Sequence, residues 1–170
     1  MQPTKVTPKR TKTPEQALAA LMRLCARAEK SQDDARRLMR GWGLAERESE
    51  QVLTRLVRDR FIDDGRYAEA FVRDKLRLSG WGEYKIRTAL QRKRIDKELI
   101  DAALTQADRP DMADRLRQQL ERKMRTTRHT TQYELKTKLI RYGLSLGYDY
   151  ETVLDIASAL VTDTETCDEF

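Results

Sequence analysis

An all-α fold, built as three tandem three-helix repeats in an elongated array, is predicted by three features of the 170-residue chain. Seven glycines and four prolines leave few breaks, and aromatics are only 6%, a composition that favours helices over strands. Apolar residues recur at i, i+3, i+4 and i+7 behind recognisable helix caps. The same grammar then returns after about 50 residues, the mark of one supersecondary unit per period.

The first helix begins at Thr13-Pro14-Glu15-Gln16, a Thr cap with Pro at the first helical position and Gln closing a capping box. Leu18, Leu21, Met22 and Cys25 form its apolar face. Ser31 caps the second helix, with Ala35, Leu38, Met39 and Trp42 inward and Gly41 and Gly43 ending it. Leu44 leads into a third, carrying Val52, Leu53, Leu56 and Val57. In the next unit Asp63 caps a helix stapled by Ile62 and Tyr67, with Tyr67, Phe71 and Leu78 near one side. Gly80-Trp81-Gly82 makes the turn before Ile86, Ala89 and Leu90, and Asp96 caps a helix stapled by Ile95 and Ile100. The last unit starts near Pro110 with Ala113, Leu116, Leu120 and Met124 inward. Thr131-Gln132-Tyr133-Glu134 reads as another capping box, and Asp149 caps a final helix with Val153, Ile156, Ala157 and Leu160 inward.

The middle helices align without gaps. Ala35, Met39 and Leu44 match Ile86, Leu90 and Ile95, which match Leu135, Leu139 and Leu144, and the caps Ser31, Gly82 and Thr131 coincide. The chain therefore divides into a basic arm (1–12), repeats over 13–60, 61–108 and 109–162, and an acidic tail (163–170).

The net charge is +6, and the four cations of the arm cancel the four acids of the tail. Residues 73–94 hold eight bases and two acids, and 115–141 hold nine bases and two acids. Such local excess suits an anionic partner, nucleic acid or an acidic protein surface, or simply a solvated face. No apolar run reaches the ~18 residues of a membrane span, and no apolar signal core follows the basic start, so a cytoplasmic location is expected.

Enzyme chemistry finds no support. His129 is the only histidine and has no cysteine or carboxylate at ligand spacing. Cys25 sits in an apolar stripe and Cys167 in the polar tail, which argues against both a disulfide framework and a Cys–His nucleophile. Capping explains Asp63, and an acid in the first turn suits the helix dipole, so Asp63-Asp64 reads as structural. Gly80-Trp81-Gly82 follows no strand and is too short for a phosphate loop. No metal, cofactor or catalytic group is expected.

The stretch Phe61-Ile62-Asp63-Asp64-Gly65-Arg66-Tyr67-Ala68, continuing through Phe71-Val72 to Gly80-Trp81-Gly82, Ile86, Leu90, Lys93 and Ile95, resembles the central repeat of the RecX family. The resemblance extends over about 14–160. One departure is Arg94, which stands where the family usually has glycine, so that helix end is expected to lack its left-handed cap. The resemblance implies a non-catalytic regulator of the RecA recombinase. Such a protein lies along the groove of a RecA–single-stranded-DNA filament as a monomer and modulates, usually inhibits, its ATPase, strand exchange and co-protease action. Whether DNA is touched directly stays open.

For partner contact, the helical wheel about Ile86 places Lys85 and Arg92 on one flank and Arg87 and Arg94 on the other. Arg36, Arg87 and Lys136 occupy one equivalent column, and Arg73 and Lys75 belong to the same basic block. Lys93 is expected to pack its stem and snorkel its amine outward. Asp63, Asp64, Arg66, Tyr67, Phe71, Gly80, Gly82, Ile86 and Leu90 are the motif positions, mainly structural. The rival readings are a helix-turn-helix DNA-binding protein and a helical scaffold for another acidic partner.

Overall fold

The computed structural model describes residues 9–107 and 109–165; Lys5, Cys167, Asp168 and Glu169 of the arm and tail lie outside them. In chain order the helices are α1 (Pro14–Cys25), α2 (Gln32–Gly41), α3 (Glu46–Arg58), α4 (Asp64–Asp74), α5 (Glu83–Arg92), α6 (Lys97–Thr105), α7 (Arg109–Thr126), α8 (Gln132–Ser145) and α9 (Tyr150–Glu165). No strand occurs among the described residues. A π-helical turn, Lys75–Ser79, extends α4.

Caps set the helix starts. The Thr13 hydroxyl accepts from Gln16 N–H while the Gln16 side chain accepts from Thr13 N–H. Ser31 and Asp34 close the same box on α2. Thr131 caps α8 by accepting from Glu134 N–H, but the Glu134 carboxylate reaches one residue further back, to the N–H and hydroxyl of Thr130.

The chain packs as two compact units: the residues up to 70 with 91–100, and 71–90 with 101 onward. In the first, α1 and α2 pack on α3 around Ala17, Leu21, Ala35, Met39 and Leu56, all fully buried. In the second, α7, α8 and α9 enclose Leu116, Leu120, Leu135, Leu139, Val153 and Ala157. Truncating any one of these leucines to alanine removes ~2–5 kcal/mol.

Three helix ends differ from expectation. Arg94 keeps the left-handed conformation without glycine, at φ +57°, so the cap survives the substitution. It is the counterpart of Gly43 (φ +77°) before buried Leu44. In the third repeat the counterpart is Gly147 (φ +91°) before buried Tyr148, not Gly143 before Leu144. α2 and α5 have 10 residues and α8 has 14, so α8 is one turn longer and Leu144, aligned with Leu44 by spacing, is 42% exposed. Leu146 accordingly stands where Trp42 and Lys93 stand, two residues before the buried residue. The π-helical turn changes the facing of α4: Leu76 is buried, whereas Leu78, expected on the inner side, is 83% exposed.

Candidate partner interface

The column Arg36, Arg87, Lys136 lies five residues past each middle-helix cap, but its members do different things. Arg36 Nε and Nη2 form a fork on the Glu50 carboxylate at 2.8 and 3.3 Å. That hydrogen bond holds the guanidinium above its ordinary pKa and Glu50 below its own. Arg87 grips Asp101 and, at 3.1 Å, Glu83, and its pKa is raised for the same reason. Glu50 and Asp101 each lie 14 positions beyond their arginine. The first two repeats thus share a strut between middle and third helices. In the third repeat the matching position, five past the Asp149 cap, is Leu154, and Lys136 has no ion-pair partner among the described residues.

Two lysines of the block 73–94, Lys75 and Lys85, gather round Trp81. Its ring meets Phe71 edge-on at 6.3 Å, and the ammonium groups of Lys75 and Lys85 sit 4.6 and 4.7 Å from its centroid. Lys85 also donates to the Ser145 carbonyl at 3.1 Å. Cation–π contact holds both amines at an aromatic surface while leaving their charge unneutralised. Arg73 lies 3.7 Å from Asp74, and exposed Arg92 has no ion-pair partner among the described residues.

The motif positions make distinct contacts. Asp63 caps α4 through Arg66 N–H at 3.0 Å. Asp64 accepts from the backbone and side chain of Gln32, capping α2 from outside. Burial pushes its carboxyl above the ordinary range, against the pull of the Gln32 N–H. Arg66 binds Glu29 and the carbonyl of Arg60, itself left-handed at φ +60°. Tyr67, Ile86 and Leu90 are buried. Gly80, at φ +60°, accepts at its carbonyl from Gln119 Nε2 at 3.0 Å. Gly82 N–H donates to Leu146 O at 2.7 Å, so close that a Cβ there would overlap the backbone of Gly147.

Lys93 does not snorkel outward. Its amine binds the Asp34 carboxylate at 2.6 Å and lies 5.5 Å from the Tyr67 centroid. Burial pushes the Asp34 carboxyl up, but Lys93 and Ser31 outweigh it and leave it below its ordinary value. Nothing local in the sequence signals this pair, because its partners are far apart in the chain. The acids at 50 and 101 were readable, since they repeat at the arginines' own spacing.

Among the described residues no three His, Cys, Asp or Glu converge as metal ligands, and no helix is long and apolar enough to cross a membrane. His129 Nδ1 lies 3.1 Å from the Thr127 carbonyl, and burial raises the Cys25 thiol.

Models of the second and third three-helix domains of RecX match residues 63–104 and 111–156, together just over half the chain. A regulatory protein RecX of Clostridium botulinum (strain Eklund 17B / Type B) is 32% identical over 103 residues, 59% of this chain and 48% of that protein. The chain thus spans about half the length of that relative. The RecX of Streptomyces coelicolor is 28% identical over 155 residues, 89% of this chain and 82% of that protein. The crystal structure of RecX from Lactobacillus salivarius superposes with a TM-score of 0.74 at 19% identity, covering 86% of this chain and 96% of that one. A second RecX crystal structure gives 0.77 at 21% identity, covering 85% and 71%. With the motif, the repeated three-helix units and the family models in agreement, this chain belongs to the RecX family of regulatory proteins.

Proposed function

We propose that this chain binds RecA on single-stranded DNA as a cytoplasmic monomer and modulates the filament, in the inhibiting direction, without chemistry of its own. ATPase, strand exchange and co-protease action are the activities it lowers. Membership of a regulatory family is the observation that carries the reading. The physical means is a set of cations at repeat spacing on a helical scaffold, suited to a periodic anionic partner.

Within the proposed contact surface the candidates divide. Lys75, Lys85, Arg92 and Lys136 present charge that no acid neutralises among the described residues. Arg36 and Arg87 spend much of theirs on the struts, so they chiefly position helices and offer a partner their remaining exposed edge.

The test compares affinity for RecA-coated single strands, bare single strands and duplex at fixed ionic strength. Preference for the coated strand supports the reading. A footprint at a discrete duplex site, with no preference for RecA, contradicts it.

A further inference from the structure

The third repeat departs from the other two at the place where they carry a strut. Counting from the helix caps, the first repeat has Asp33, the Arg36–Glu50 pair, Gly41 and Glu46. The second has Tyr84, the Arg87–Asp101 pair, Arg92 and Lys97. The third has Tyr133, Lys136 facing Leu154 rather than an acid, Arg141 and Tyr150. Loss of the acid releases one cation, and two aromatic rings flank it.

These residues line one hollow of about 440 Å³ on α8 and α9. Tyr133 is 81% exposed and Tyr150 57%, a large apolar exposure that core packing does not require. Neither Lys136 nor Arg141 has an ion-pair partner among the described residues. Arg141 also borders a second hollow, of about 520 Å³, with Lys123, Arg128 and Lys138 on its wall. The acid closest in sequence to Lys136, Glu134, is held by Lys138 at 2.6 Å and by Thr130, which draws its pKa down to about 2, while Glu151 and Asp155 stand exposed on α9. The stacking hollow therefore opens onto a cationic strip.

We propose that this α8–α9 face binds single-stranded nucleic acid directly, the two tyrosines stacking on unpaired bases while Lys136, Arg141 and the adjoining strip follow the phosphates. Cations alone would serve an acidic protein equally well. Two exposed π-faces beside them favour bases, because stacking on an aromatic side chain is sequence-tolerant and requires an unpaired strand. The inference does not rest on the RecA reading, since the surface needs no RecA to act.

The experiment is fluorescence anisotropy of a labelled oligodeoxythymidylate with the full chain and no RecA present. Each of Tyr133→Ala and Tyr150→Ala should weaken binding at least about fivefold, as expected for a lost stack. Tyr133→Phe and Tyr150→Phe should bind within about twofold of the parent, since phenylalanine keeps the π-face. Lys136→Gln and Arg141→Gln should each lower the log–log salt slope by about 0.7. An abasic strand should bind more weakly and be indifferent to Tyr→Ala. Arg23→Gln, an exposed cation on α1 outside every proposed contact, is the control and should leave affinity unchanged. The proposal is overturned if the parent does not bind, or if the double Tyr→Ala variant, with unchanged circular dichroism, binds like the parent. It is equally overturned if the abasic strand binds as well as the intact one, or if polyglutamate competes as well as the oligonucleotide. None of these outcomes touches the filament comparison above, which is measured separately.

Discussion

Asp34→Ala should be among the most damaging polar substitutions in the first unit. The Asp34 side chain is only 10% exposed, closes the capping box of α2 and receives Lys93 at 2.6 Å and Arg37 at 3.2 Å. Losing a hydrogen bond to a charged partner costs ~1.5–3 kcal/mol, and losing half a capping box costs ~1 kcal/mol. Lys93 is 28% exposed, so its amine regains some water and part of that cost is offset. The net expectation is about 2–3 kcal/mol. Lys93→Met should cost less, and the double variant should reveal a coupling of about 1 kcal/mol. The direction of the pKa shifts defines the window. Asp34 lies below its ordinary value, so its contribution is present above the unfolded carboxyl's pKa and lost as pH falls through the folded one. Lys93 lies above its ordinary value, so its contribution persists below the unfolded amine's pKa and is lost as pH rises through the folded one. Urea unfolding followed by circular dichroism across pH measures both. A loss under about 0.5 kcal/mol for Asp34→Ala, or strict additivity with Lys93→Met, would rule out a stabilising Asp34–Lys93 pair.

Gly147→Ala should destabilise by more than about 2 kcal/mol, since the position is left-handed at φ +91° and a Cβ would come within 2.6 Å of the Lys85 nitrogen; thermal unfolding reads this directly. Arg94→Gly should raise stability by about 0.5–1 kcal/mol, because the left-handed penalty of ~1–2 kcal/mol exceeds glycine's added chain entropy. An unchanged or lowered Tm would contradict that balance. For the struts, double-mutant cycles of Arg36 with Glu50 and Arg87 with Asp101 should each give about 0.5–1 kcal/mol, modest because the side chains are 28–48% exposed. Lys136→Ala should change stability by less than about 0.5 kcal/mol, and a loss equal to that of Arg87→Ala would show a strut in the third repeat after all.

The fold was legible wherever local rules decide it. Thr13, Ser31, Asp63 and Thr131 cap where their side chains can reach a free N–H, and the apolar stripes through Leu21, Met39, Leu116 and Val153 are the buried ones. What escaped depends on neighbours remote in sequence. Gly143 matches the cap glycine Gly43 by spacing, but it is a helix-interior residue kept small because Val153 packs against it, 2.6 Å from where a Cβ would stand. The true cap is Gly147, one turn on. Leu78 was misassigned because the π-helical turn breaks the period that placed it. The basic column was visible, but its first two members proved to be largely engaged, since the repeat that carries the arginines carries their acids too.

The proposed regulation of RecA without turnover is tested by titrating the protein into a RecA ATPase assay on single-stranded DNA. Hydrolysis should fall as the protein approaches a ratio set by filament sites, or below it by blocking filament ends. Lys75→Glu with Lys85→Glu should weaken the effect, and the protein alone should hydrolyse neither ATP nor DNA. ATPase activity unchanged at saturating protein, or intrinsic turnover that survives repurification and these charge reversals, would contradict that regulation.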